Sequence, residues 1–242
     1  MNEGPAAHHG SVVGDGDAPR RRSVGDAVLS AVLDIPAPPA RVTADWEREV
    51  VQHLALAPGD VESLPLVRTR ARWPDHRLCV QAMARWTHSL GLQDVLATAD
   101  LALMACRGAR YHHDAAQYGR AAFCNLFLSD DKGLDVHFPA IGRRIALTRG
   151  TALLFDTGQP HAVVLRGEGG FDATRFMPGQ DCTQVFLSWE LPLDDARVAK
   201  ALHVAFDVAP GIGLQVDAGQ LRLRGASVDV CPDSGRWSPA GG

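Results

Sequence analysis

The chain has 242 residues, 46% of them hydrophobic and 21% charged, which excludes a coiled coil, a collagen-like repeat and a wholly disordered chain. Lys and Arg number 24 against 28 Asp and Glu, a net charge of -4. That is the wrong sign for a protein built to grip a phosphate backbone, so no nucleic-acid partner is expected.

Residues 1–23 are rich in Gly, Ala, Asp and Arg and show no periodicity, which predicts a disordered tail. Within it, Arg20-Arg21-Arg22 reads as a solvated basic patch. Neither a secretory signal nor an apolar run of the ~18 residues that span a membrane is found, so no membrane attachment is expected. From residue 24 onward a single domain is expected. Its lead-in, 24–92, reads as helical. SVGDAVLSAVLDI (23–35) has apolar residues at helical spacing and is stopped by PAPPA (36–40). Thr43 reads as the N-cap of a helix over ADWEREVVQHLAL, and Asp75 to Leu90 as a second long amphipathic helix.

After Leu92 the period changes. Short strand-like runs follow, most of them separated by Gly, Pro, Asp or Thr: LALMACRGARYHH, RAAFCNLFLS, LDVHFP, RRIALT, TALLFD, HAVVLR and TQVFLSWEL. They predict an antiparallel sandwich or barrel as the core, 93–191. The closing segment, 192–242, contains a hairpin in GLQVDAGQLRLRGASVDV with its turn at Ala218-Gly219. The five cysteines form no CxxC pair and read as free thiols in a reducing cytoplasm.

The chemistry concentrates between Tyr111 and Arg175. In a strand, residues two apart share a face, so His112 and Asp114 would project together and His113 away from them. His161 opens the apolar strand HAVVL some tens of residues later. Two histidines and a carboxylate make the facial triad of non-haem Fe(II) sites, with three positions left for other ligands. Structural zinc would want a fourth protein ligand. Asp156, at the end of TALLFD, reads as a turn residue, and His137 as a strand residue near the site.

The order HxD, then Gly150-Thr151-Ala152-Leu153-Leu154-Phe155-Asp156, then His161-Ala162-Val163, resembles the Fe(II)/2-oxoglutarate-dependent oxygenase superfamily over residues 99–191. The resemblance implies a mainly β fold with flanking helices, the double-stranded β-helix or jelly roll, with Fe(II) held by His112, Asp114 and His161 at its mouth. It implies 2-oxoglutarate as co-substrate, O2 as oxidant and hydroxylation of a small molecule. A carboxylate at Asp114 fits oxygen insertion, since related halogenases carry Gly or Ala there. The distal carboxylate of 2-oxoglutarate needs a cation. The family's basic residue about ten positions after the distal histidine is missing here, where Phe171 stands. Arg175 is the first candidate anchor and Arg166 the second, with Arg120 and Arg149 behind them. Two alternatives stay open: a metal-dependent enzyme on the same barrel that does not use 2-oxoglutarate, and a non-catalytic barrel with structural histidines.

Overall fold

The computed structural model describes residues 20–177 and 179–240. In chain order the elements are β1 (Arg22–Ser23), β2 (Val28–Val32), α1 (Ala40–Glu49), β3 (Val61–Leu64), α2 (Leu66–Arg72), α3 (His76–Ser89), β4 (Asp100–Cys106), β5 (Ala109–His112), α4 (Ala115–Tyr118), β6 (Ala121–Phe127), β7 (Leu134–Phe138), β8 (Arg143–Ala146), β9 (Thr151–Asp156), β10 (His161–Leu165), β11 (Gln184–Pro192), α5 (Ala196–Ala201) and β12 to β15 (Leu214–Asp217, Gln220–Leu223, Ala226–Val230, Trp237–Pro239).

The eight strands β4 to β11 form two facing antiparallel sheets. One has the order β5-β10-β7-β8; the other contains β9-β6-β11-β4, extended by β2 at one edge and β3 at the other. Apart from the β7–β8 hairpin, consecutive strands alternate between the sheets, which is the double-stranded β-helix. Strand parity divides the core in two. Ala122, Cys124 and Leu126 of β6 turn outward with Leu154, Leu187 and Trp189 and pack against Trp46, Met83 and Trp86 of α1 and α3. The alternate residues Phe127, Leu153, Phe155 and Phe186 turn into the space between the sheets. Burial on both faces is why β6 and β9 read as near-continuous apolar runs. Edge strand β8 alternates half-buried and exposed residues instead. Gly150 opens β9 at φ +88, where a Cβ would lie 2.1 Å from the Leu33 carbonyl oxygen, so no side chain fits that turn.

Three sequence expectations are corrected here. The segment 23–35 is not a helix. Val28 to Val32 pair with Thr151 to Phe155 along the sheet edge, which satisfies backbone groups a helix would satisfy internally and seats Leu29 and Ala31 on the outer core. Helix α1 begins at Ala40, with Pro39 at the N-cap position. Thr43 lies inside the first turn, its hydroxyl donating to the Ala40 carbonyl at 2.9 Å. The basic patch is not solvated at its end: Arg22 is 2% exposed and Arg22–Ser23 pair with β12. The expected disordered tail otherwise falls on residues 1–19, outside the described part.

Helix α3 and the strands of the core fall where the sequence places them. Ala218 (φ 52) and Gly219 (φ 77) make the β12–β13 turn, both in the left-handed region that a two-residue hairpin requires. The closing sheet β1-β12-β13-β14-β15 packs Val216 and Leu221 against Ala115 of α4. It thereby backs the residues next to Asp114. Among the described residues, no helix is long and apolar enough to cross a membrane.

Candidate metal centre

Strand β5 ends at His112, and β10 begins at His161. The two are direct partners in the antiparallel ladder, so their rings face each other with centroids 4.3 Å apart. Asp114 does not share a strand face with His112, as the sequence reading had it. The strand ends at 112, and a turn (φ -107, ψ 9) brings Asp114 to the start of α4, where its backbone N–H donates to the Thr157 carbonyl at 2.8 Å. One Asp114 oxygen lies 3.7 Å from His112 Nε2 and the other 3.5 Å from His161 Nε2. One donor atom from each of the three residues falls within 4.8 Å of the others.

The donor chemistry suits a metal. Nδ1 of His112 lies 2.7 Å from the Arg110 carbonyl oxygen, and Nδ1 of His161 lies 3.0 Å from that of Gln159. A carbonyl oxygen can only accept, so each neutral ring carries its proton on Nδ1 and leaves a lone pair on Nε2. Burial, with His112 adding to it, pushes the His161 imidazole down to about 4, so it is unprotonated at neutral pH.

The segment between β9 and His161 is tied down from behind. Asp156 is fully buried and accepts from Arg22 at 2.6 and 2.8 Å, and from the backbone N–H groups of Gly25 and Gly158. It is a structural anchor, not an ordinary turn residue. Gln159 also donates to the Gly25 carbonyl. The same segment presents the Thr157 and Gln159 carbonyls to Asp114 and His161.

The other histidines point elsewhere. His113 accepts from the Ala115 N–H, and its Nε2 lies 3.3 Å from Asp229 of β14. His137 Nδ1 is hydrogen-bonded to the Tyr111 hydroxyl at 2.6 Å.

The triad opens onto a cavity of about 260 Å³ between the sheets. Phe123, Phe127, Phe155 and Phe186 wall it, and the Phe155 ring lies 4.9 Å from that of His161. Asn125 and Ser188 are polar groups inside it; Gln117 and Tyr118 of α4 line it too. Sequence reasoning passed over Asn125 and Ser188, although a signal was there. Each interrupts an apolar strand at the parity of the inward phenylalanines.

Among the described residues no Arg or Lys lines this cavity. The structure places the four candidate anchors outside it, each bound to a carboxylate. Arg175 sits in a loop with its side chain 58% exposed, 2.6 Å from Glu168. Arg166 has the strand parity opposite to His161 and Val163 and holds Asp131 and Asp135. Arg120 pairs with Asp194 and Arg149 with Asp130. Arg175 and Arg166 are therefore corrected as anchors: their charges are met at the surface, and neither faces the triad.

No family model matches the sequence, and no curated protein matches it. Among solved structures, a prolyl 4-hydroxylase of Pseudomonas putida is 18% identical, with a TM-score of 0.41, covering 68% of this chain and 92% of its own. EvdO2 from Micromonospora carbonacea is 11% identical, with a TM-score of 0.42, covering 70% of this chain and 88% of its own. The viral collagen prolyl hydroxylase of Paramecium bursaria Chlorella virus-1, solved as a 2OG complex, is 10% identical, with a TM-score of 0.41, covering 67% of this chain and 94% of its own. At such identities the function has to be read from the chain's own residues, and its strand order is that of the double-stranded β-helix, the jelly roll that the sequence resemblance implied.

Proposed function

We propose that the chain is a non-haem Fe(II) oxygenase that acts on a small organic molecule in the barrel cavity. The observation that carries this reading is the convergence of His112 Nε2, His161 Nε2 and the Asp114 carboxylate at the mouth of an apolar cavity. Two nitrogens and one carboxylate match the ligand set of Fe(II) oxygenase sites, and three protein ligands leave positions open. When bound, iron supplies the activation of O2. The chain supplies the rest. The Arg110 and Gln159 carbonyls fix both tautomers, the Asp114 charge offsets part of the cation's, and the phenylalanine walls exclude water. The five free cysteines support a reducing cytoplasm as its location. A non-catalytic barrel fits less well, because structural histidines bury partnered nitrogens, whereas these two Nε2 atoms make no hydrogen bond and face one carboxylate.

2-Oxoglutarate is the co-substrate that the sequence resemblance implies. The open metal positions support it. One observation favours a second reading, an oxygenase on the same metal site that does not use 2-oxoglutarate: among the described residues, no Arg or Lys lines the cavity to meet its distal carboxylate. Anaerobic titration of the iron-loaded protein with 2-oxoglutarate separates the two. A metal-to-ligand charge-transfer band, followed by succinate release in air, supports the first. Stoichiometric iron with neither supports the second. Absence of stoichiometric iron defeats both.

A further inference from the structure

Asn125 and Ser188 are directly opposed residues of β6 and β11, and both line the metal cavity. Asn125 is 8% exposed. Its Oδ1 is buried in the wall with no hydrogen-bond partner among the described residues. Its Nδ2 is not buried, so the amide presents its N–H2 to the cavity. Ser188, half-buried, adds a hydroxyl beside it. Around the pair the wall is apolar. Phe127 and Phe186, the next inward residues of the same two strands, stack at 5.0 Å, and Leu153, Val136 and Val163 lie alongside. Gln117 and Tyr118 sit on α4, just after Asp114. Gln117 donates to the Tyr118 hydroxyl at 3.0 Å, and both also line an outer cleft, so they belong to the entrance.

A carboxamide oxygen left buried and unpaired is costly. A leucine of similar size would fit this wall without that cost. What the asparagine adds is a donor facing the cavity. Directly opposed residues of an antiparallel pair have Cβ atoms about 4.5–5.5 Å apart, so the Asn125 amide and the Ser188 hydroxyl reach one group. Two adjacent donors suit the two oxygens of a carboxylate. Hydrogen bonds to an ionised acceptor are roughly twice as strong as neutral ones, and several together favour a carboxylate's charged form. We infer that Asn125 and Ser188 anchor the far carboxylate of a metal-chelating 2-oxo diacid, where an arginine or lysine would be expected. A neutral anchor keeps 2-oxoglutarate within the ligand class although no Arg or Lys among the described residues lines the cavity. The inference rests on the metal site proposed above and narrows its ligand class to dicarboxylates.

The test uses two oxo acids of one chain length: 2-oxoglutarate, and 2-oxopentanoate, which chelates a metal in the same way but has no polar end. The full-length protein is loaded with Fe(II) anaerobically and its iron content measured first, so that loss of the metal site is seen separately. Each acid is then titrated by calorimetry and by charge-transfer absorption. 2-Oxoglutarate should bind at least tenfold tighter than 2-oxopentanoate. Asn125→Leu should erase that preference at unchanged iron content, leaving the affinity for 2-oxopentanoate within threefold of the wild type. Ser188→Ala, a smaller change that spares the fold, should reduce the preference in the same direction. The inference is overturned if the iron-loaded wild type binds the two acids equally, or binds neither; stoichiometric iron would then leave the metal site standing. It is also overturned if the preference survives both substitutions, because the anchor then lies elsewhere.

Discussion

Arg22 and Asp156, 134 positions apart, form a buried bidentate ion pair at 2.6 and 2.8 Å, exposed by 2% and 0%. It ties the start of the described chain to the segment that carries His161. Removing one partner leaves the other as a buried unpaired charge, which costs about 3–5 kcal/mol. Arg22→Ala should lower unfolding stability by that amount in urea denaturation. It should also weaken metal binding, because the anchored segment supplies the Thr157 and Gln159 carbonyls that hold Asp114 and His161. A chain beginning at Val24 should behave like Arg22→Ala. Wild-type stability and iron affinity in that truncation would show the pair to be dispensable.

That pair also shows where the sequence was legible. The strands of the jelly roll carry their own punctuation, and His112, Asp114 and His161 stand in a readable order at strand ends. The inward parity of Asn125 and Ser188 was legible too, since both break apolar runs. The partnership of Arg22 with Asp156 leaves no local pattern, and RRRS reads as surface in any window. The segment 23–35 misleads for a related reason. Its apolar spacing fits helix and strand alike, and pairing with β9, formed more than 100 residues later, decides between them. Arg175 was favoured by sequence distance, but the loop that carries it gives it Glu168 as a partner.

Arg175 should therefore be silent. Arg175→Ala should change the affinity for any of the oxo acids by less than twofold. Stability should shift by about 0–1 kcal/mol, the range of an exposed ion pair. A large loss of 2-oxoglutarate affinity alone would place that arginine in the site after all.

The metal-free protein should lose stability in mild acid through His161. Its imidazole, ordinarily near 6.5, is pushed down to about 4, first by burial and then by His112. Between those values the unfolded chain binds a proton that the fold refuses, so stability rises with pH across this window and falls as pH drops. At about 1.4 kcal/mol per unit, the loss from this residue approaches about 3 kcal/mol by pH 4. Urea midpoints for wild type and His161→Gln over pH 7 to 4 check this. The variant should show the shallower dependence, and equal slopes would refute the assignment.

The thiols should separate cleanly. Cys79, Cys106, Cys124 and Cys182 are buried, and burial pushes all four thiols up. Cys231 is half-buried, and a hydrogen bond with the Ser234 side chain holds its thiol below the usual range. A thiol-disulfide colour reagent should titrate one cysteine in the native protein, absent in Cys231→Ser, and five after denaturation. Rapid labelling of Cys106 in the native state would mean that the cavity is open to bulky reagents.

The central claim is that His112, Asp114 and His161 hold one iron. Anaerobic calorimetric titration of the metal-free protein with Fe(II) tests it directly, with Asp114→Ala and His161→Ala alongside and circular dichroism to show that both variants stay folded. The account expects one equivalent in the wild type and at least a hundredfold weaker binding in each folded variant. Iron binding that is absent from the wild type, or equally tight in the folded variants, would contradict it.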